Sequence, residues 1–172
     1  MCEDERELAF REDGGKRMID FVLTLKASEG DVHLGDTKEG TFGVRVPDSV
    51  SVDTNQGGKI INSNGQTDAA AWGKAAAWVD YHGPVDGKLV GIALLDHPSS
   101  FRHPTYYHVR TYGLLAANPF GATEFGGTGE GAYTIPAGKS ITFRYRLIFH
   151  EGDEHQADIA GCYASYAQEK PD

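Results

Sequence analysis

Cysteine is nearly absent from this 172-residue sequence: Cys2 sits at the terminus and Cys162 in a segment that reads as helix. Two thiols so placed make neither a disulfide framework nor a zinc spacing, so the fold must stand on packing. Long apolar runs are missing too. Nothing approaches the roughly 18 residues of a membrane-crossing helix, and the opening MCEDERE is acidic where a secretory leader is basic and then apolar. A soluble, untargeted, cytoplasmic chain with no membrane partner is therefore expected. Basic residues are short as well, with 16 Lys and Arg against 25 Asp and Glu and a net charge of −9. Nonspecific nucleic-acid binding depends on clustered cations that release counterions from phosphates, so no nucleic acid is expected as a partner. The acidic groups at 3–7 and 151–158 read as solvated. Gly126, Gly127 and Gly129 follow no strand-to-helix phosphate pattern, and no cofactor is expected.

What is present favours strands. The 22 glycines and 7 prolines punctuate short apolar segments and suit an all-β chain better than a helical bundle. From Arg17 to Lys26, Ile19, Phe21, Leu23 and Leu25 alternate with more polar residues, placing four large apolar groups on one face of a strand. Lys139 to His150 repeats the pattern with Ile141, Phe143, Tyr145, Leu147 and Phe149; on the other face, Arg144 and Arg146 either meet solvent or pair with carboxylates of neighbouring strands. Leu89 to Leu95 is an apolar run short enough for a buried strand. Met1 to Gly15 reads as a frayed lead-in with one short strand before a turn. Strands are also expected at 31–35, 41–46 and 59–62. Residues 69–81 are ambiguous, since six alanines favour helix while Gly73 and the ending Trp78-Val79-Asp80-Tyr81 favour strand; strand is the reading adopted. Asp153 is placed as the cap of a terminal helix burying Ile159, Cys162, Tyr163, Tyr166 and Ala167, ended by Lys170 and Pro171. About ten short strands and one closing helix predict a single domain over 1–172, an antiparallel β-sandwich.

Chemistry concentrates just after Leu95. Asp96, His97, Arg102, His103, His108 and Arg110 fall within a short span, interleaved with Phe101, Tyr106, Tyr107 and Tyr112. Tyr106, His108, Arg110 and Tyr112 share one face of an alternating strand. That face is either a solvated exterior or a ligand groove. The Asp36-Thr37-Lys38-Glu39-Gly40 connection is either a solvated turn or a second contributor to a site.

Four segments, GDTKEGTFGVRV at 35–46, WGKAAAWVDYHG at 72–83, LDHPSSFRHPTYYHVRTYGLLAANPFG at 95–121 and FRYRLIFHEGD at 143–153, resemble in their order the PmoA-like family, domains of unknown function that often carry the label methane oxygenase. The resemblance implies a large antiparallel sandwich of the galactose mutarotase-like kind. Members are usually longer, so it also implies that this chain corresponds to the carboxy-terminal part of such a domain. The label is not read as an activity, because a membrane methane monooxygenase subunit needs spanning helices.

Three functions are weighed. The first is carbohydrate binding or mutarotase-like sugar modification, since sugars need aromatic faces beside dense hydrogen-bonding groups. His97, His108 and Glu39 are its candidate acid and base residues, and Lys38, Trp78, Asp80, His82, Arg102, His103, Tyr106, Arg110 and Asn118 its candidate saccharide contacts. The second is a noncatalytic module whose unpaired sheet edges are covered by a homodimer partner. The third is metal binding through His97, His103 and His108, residue types that suit zinc at spacings that match no standard ligand pattern.

Overall fold

The computed structural model describes residues 1–170. In chain order the strands are β1 (Cys2–Asp13), β2 (Lys16–Ala27), β3 (Val32–Leu34), β4 (Phe42–Arg45), β5 (Lys59–Asn62), β6 (Lys74–Ala75), β7 (Trp78–Val85), β8 (Lys88–Asp96), β9 (Tyr106–Arg110), β10 (Leu114–Asn118), β11 (Tyr133–Ile135) and β12 (Ser140–Glu151). One helix follows, α1 (Ile159–Tyr166). The protein is an all-β antiparallel sandwich. A six-stranded sheet runs β1-β2-β12-β8-β7-β5, a four-stranded sheet runs β4-β10-β9-β6, and β3 pairs with β11. No helix among the described residues is long and apolar enough to cross a membrane.

The alternation visible in the sequence builds the layers. The odd-numbered residues Leu23, Phe143, Tyr145, Val79 and Tyr81 of β2, β12 and β7 face the four-stranded sheet, where Tyr107, Val109, Leu115 and Ala117 meet them. Phe42 stacks on Phe21 at 4.6 Å and on Tyr145 at 5.5 Å between centroids, joining the two sheets. The Tyr107 hydroxyl donates to the Leu94 carbonyl at 3.0 Å across the same gap. The opposite face of the six-stranded sheet makes a second, smaller core in which Trp78, Ala93, Leu95 and Ile148 pack against Ala157, Ile159 and Tyr166. Thus α1 lies on the outside of the larger sheet. Arg146 crosses to its register partner Asp20, making two hydrogen bonds at 2.5 and 2.9 Å, and also grips Glu169.

Several elements differ from the sequence reading. The lead-in is a full twelve-residue strand, β1, exposed throughout and paired along its length with β2. Gly14 and Gly15, with φ of 55° and 80°, supply the two-residue turn that closes this hairpin. The strands expected at 31–35 and 41–46 are shorter, and β3 joins β11 while β4 joins β10. Residues 68–85 divide into a 3-10 turn, the short β6 and the long β7. Asp153 caps only the turn before α1, accepting from the His155 and Gln156 amides; Asp158 is the helix cap, accepting from Gly161. The helix stops at Tyr166, and Pro171 lies outside the described residues.

Candidate functional site

β9 turns Tyr107 and Val109 into the core and Tyr106, His108 and Arg110 outward. Across the sheet His108 is in register with Ala116 and then Gly43, two residues too small to cover the imidazole. His108 is nevertheless 5% exposed, because Trp72 and Phe125 close over it edge-on, at 6.4 and 6.1 Å between ring centroids. Trp72 follows the 3-10 turn at 68–71. Gly73, at φ 66°, then donates its amide to the Tyr107 carbonyl, and a Cβ there would come within 2.9 Å of the Phe125 ring. Glycine at 73 is thus what lets the aromatic lid sit down.

The polar end of this patch is Arg110, whose guanidinium lies 5.8 Å from the Trp72 ring and 5.4 Å from that of Tyr112; the Arg45 guanidinium also lies over the Tyr112 ring, at 5.5 Å. Beyond Ala116 the surface continues as a groove of about 330 Å³ lined by Glu39, Gly40, Gly43, Arg45 and Leu114. Trp72 Nε1 and His108 Nδ1 are both buried without a hydrogen-bond partner. Such atoms cost free energy, on the order of 1–3 kcal/mol each, unless something satisfies them. Burial pushes the His108 pKa below its usual 6.5, aided by the positive charge of Arg110, while the Lys38 carbonyl and the Glu39 carboxylate pull more weakly the other way. His108 is therefore a neutral imidazole beside an exposed carboxylate and a stacked guanidinium.

A second polar group lies on the outer face of the six-stranded sheet. The Asp80 carboxylate, wholly buried, bridges His82 Nδ1 at 2.6 Å and His150 Nε2 at 2.7 Å. Both histidines are register partners of Gly91, and a Cβ on Gly91 would lie 2.5 Å from the His150 ring. Burial opposes charge on His82, but the bond and field of Asp80, with the charges of Glu154 and Asp153, outweigh it and raise the His82 pKa.

The twelve residues singled out in the sequence thus fall in three places. Lys38, Glu39, Tyr106, His108 and Arg110 gather around the four-stranded sheet. Trp78, Asp80 and His82 lie on β7 beneath the 152–170 segment, Trp78 within the second core. The other four serve local structure. His97 bonds Ser99 and the Glu169 carbonyl and packs on Tyr166. His103 bonds Asp96, whose carboxylate also accepts from the Thr105 amide. Arg102 donates to the carbonyls of Pro119, Gly131 and Ala132, and Asn118 ties the Thr37 carbonyl to the Phe120 amide.

His97 and His108 consequently do not share a catalytic cavity, and His97, His103 and His108 do not form one ligand set. The chain leaves the six-stranded sheet at Asp96 and enters the four-stranded sheet at Tyr106, which carries the three imidazoles to separate surroundings. Among the described residues, the group of His, Cys, Asp and Glu whose possible ligand atoms all come within 4.8 Å of one another is Asp80, His82 and Glu154. Sequence reasoning did not single out Phe125, Arg45, His150 or Glu154 as site residues. For His150 the signal was present, since the alternation of β12 places it on the face of Arg146 and Ile148; Phe125 sits in a glycine-rich loop that no periodicity marks.

No curated protein and no solved structure matches the chain. The model of a family of unknown function, DUF6807, matches residues 1–164, nearly the whole length, and the chain belongs to that family.

Proposed function

We propose that the outer face of the four-stranded sheet binds a saccharide. The observation that carries this reading is the pairing of two buried, unpartnered nitrogens, Trp72 Nε1 and His108 Nδ1, under an aromatic lid beside a stacked arginine. A sugar offers apolar C–H faces for the rings of Trp72 and Tyr112 and hydroxyls for the two nitrogens, Arg110, Lys38 and Glu39. A partly desolvated patch of aromatic, cationic and acidic groups suits such a ligand better than it suits an apolar one. The resemblance to PmoA-like, mutarotase-like domains points to the same class.

Sugar modification would be the finer form of this reading. Interconverting anomers requires one group to remove the proton of the anomeric hydroxyl, so that the C1 carbonyl forms as the bond from C1 to the ring oxygen breaks, and another to deliver a proton to that ring oxygen. His108, held neutral by burial, fits the first role.

Calorimetric titration with a panel of mono- and oligosaccharides tests the proposal. Saturable heat is expected for the unaltered protein, with at least tenfold weaker binding in Trp72→Ala and Arg110→Ala. A flat response across the panel contradicts it.

One observation favours a noncatalytic assembly role instead: β1 is an exposed edge strand on which Leu8 and Phe10 are 53% and 74% exposed. Light scattering on the same sample addresses that role, since a concentration-dependent dimer combined with flat calorimetry selects it.

A further inference from the structure

On the other side of the molecule, Asp80 and His82 project from one face of β7, His150 projects from β12, and Glu154 comes down from the segment that leads from β12 to α1. His82 Nδ1 is 2.6 Å from Asp80 Oδ1 and 3.7 Å from Glu154 Oε2, and one ligand atom from each of Asp80, His82 and Glu154 falls within 4.8 Å of the others. In a tetrahedral zinc centre, with bonds of about 2.0–2.2 Å, neighbouring ligand atoms stand roughly 3.3–3.5 Å apart. Reaching that spacing requires the His82 Nδ1–Asp80 Oδ1 contact to open by about 0.7–0.9 Å and the His82 Nδ1–Glu154 Oε2 contact to close by about 0.2–0.4 Å.

Charge supplies the second argument. The Asp80 carboxylate is wholly buried and the Glu154 side chain is 10% exposed, yet among the described residues every ion-pairing partner of either is a histidine, with no Lys or Arg on them. Two carboxylates withdrawn from water call for compensating positive charge. A third argument lies behind the ligands: His150 Nε2 holds Asp80 Oδ2 at 2.7 Å and leaves Oδ1 turned towards His82, the pattern in which an outer hydrogen bond orients a ligating carboxylate. Gly91, the register partner of both histidines, provides the room for it.

We propose that Asp80, His82 and Glu154 bind one divalent transition cation, with His150 as the residue that orients Asp80. One imidazole and two carboxylates favour zinc or a similar borderline ion over calcium, which takes six to eight oxygens. Three protein ligands leave a fourth position for water. The cation would also tie the 152–158 segment to the sheet, so that binding and docking of that segment are coupled. This site is independent of the His108 face.

The test uses the full chain, stripped with a chelator, dialysed against micromolar zinc and passed over a desalting column before elemental analysis and thermal melting. The expected result is about one zinc per chain with a midpoint several degrees above that of the stripped protein. Glu154→Gln should fold and hold less than a tenth of an equivalent, as should His82→Ala where it folds, and His33→Ala, which alters an exposed histidine on β3, should load normally. Less than a tenth of an equivalent in the unaltered protein, or full loading of Glu154→Gln, overturns the proposal.

Discussion

At the scale of single residues, the two sheets use histidine in opposite ways. His108 is surrounded by rings and a guanidinium, so its neutral form is favoured, whereas His82 leans on two carboxylates and its charged form is favoured. The sign for His108 follows from linkage. With its folded pKa below the unfolded 6.5, the unfolded chain binds the proton more readily, so its contribution to stability is complete above about pH 6.5 and is lost as pH falls through the lower folded value. Thermal midpoints measured from about pH 7 down to pH 5 should therefore fall less in His108→Gln than in the unaltered protein. An equal fall in both contradicts the buried, neutral assignment.

Elements were legible where alternation was strong and one-sided. β2 and β12 lie side by side in the larger sheet, and their large apolar residues at every second position admit only one register; β8 beside them was marked by its unbroken apolar run instead. Even the Arg146 partner was within reach, as one of the carboxylates expected on a neighbouring strand; it proved to be Asp20. Weakly patterned strands were harder. β1 alternates charge with charge and is recognised only by its partner β2, while β10, LLAAN, carries no strand signal apart from its place between β4 and β9. The start of α1 was misplaced because Asp153 makes real capping bonds, but to a turn that ends before the helix begins.

The docking of α1 gives a prediction at this scale. Arg146, 6% exposed at its side chain, binds Asp20 and Glu169 and lies 4.2 Å from the Tyr166 ring centroid. Arg146→Leu should cost about 2 kcal/mol in denaturant unfolding, as expected for charge-assisted bonds that are only partly buried. Amide protection should fall more in α1 than in β2, and equal losses in both would show that the arginine supports the sheet and not the helix.

At the scale of the whole molecule, the fold explains why the candidate site was only half visible in the sequence. Asp96 to Arg110 is one dense polar stretch in the chain, but a sandwich connection cuts through it. β8 lies in one sheet and β9 in the other, so neighbours in sequence become occupants of different layers. Glu39 and His108, distant in sequence, are brought together because β4, β10 and β9 are adjacent strands. Spacing along a chain reports a face only within one strand, and contacts between strands depend on a sheet order that two short connections such as 36–41 and 97–105 do not announce.

The proposed binding of a saccharide at the Trp72 and His108 face is tested by following the two tryptophan indole N–H resonances in a ¹⁵N–¹H spectrum during sugar titration. Trp78 sits in the second core beneath α1 and serves as an internal reference, while Trp72 Nε1 is buried without a hydrogen-bond partner. A saturable shift of the Trp72 signal with Trp78 unmoved is expected. A Trp72 signal that stays in place across the whole saccharide panel, or a shift confined to Trp78, would contradict it.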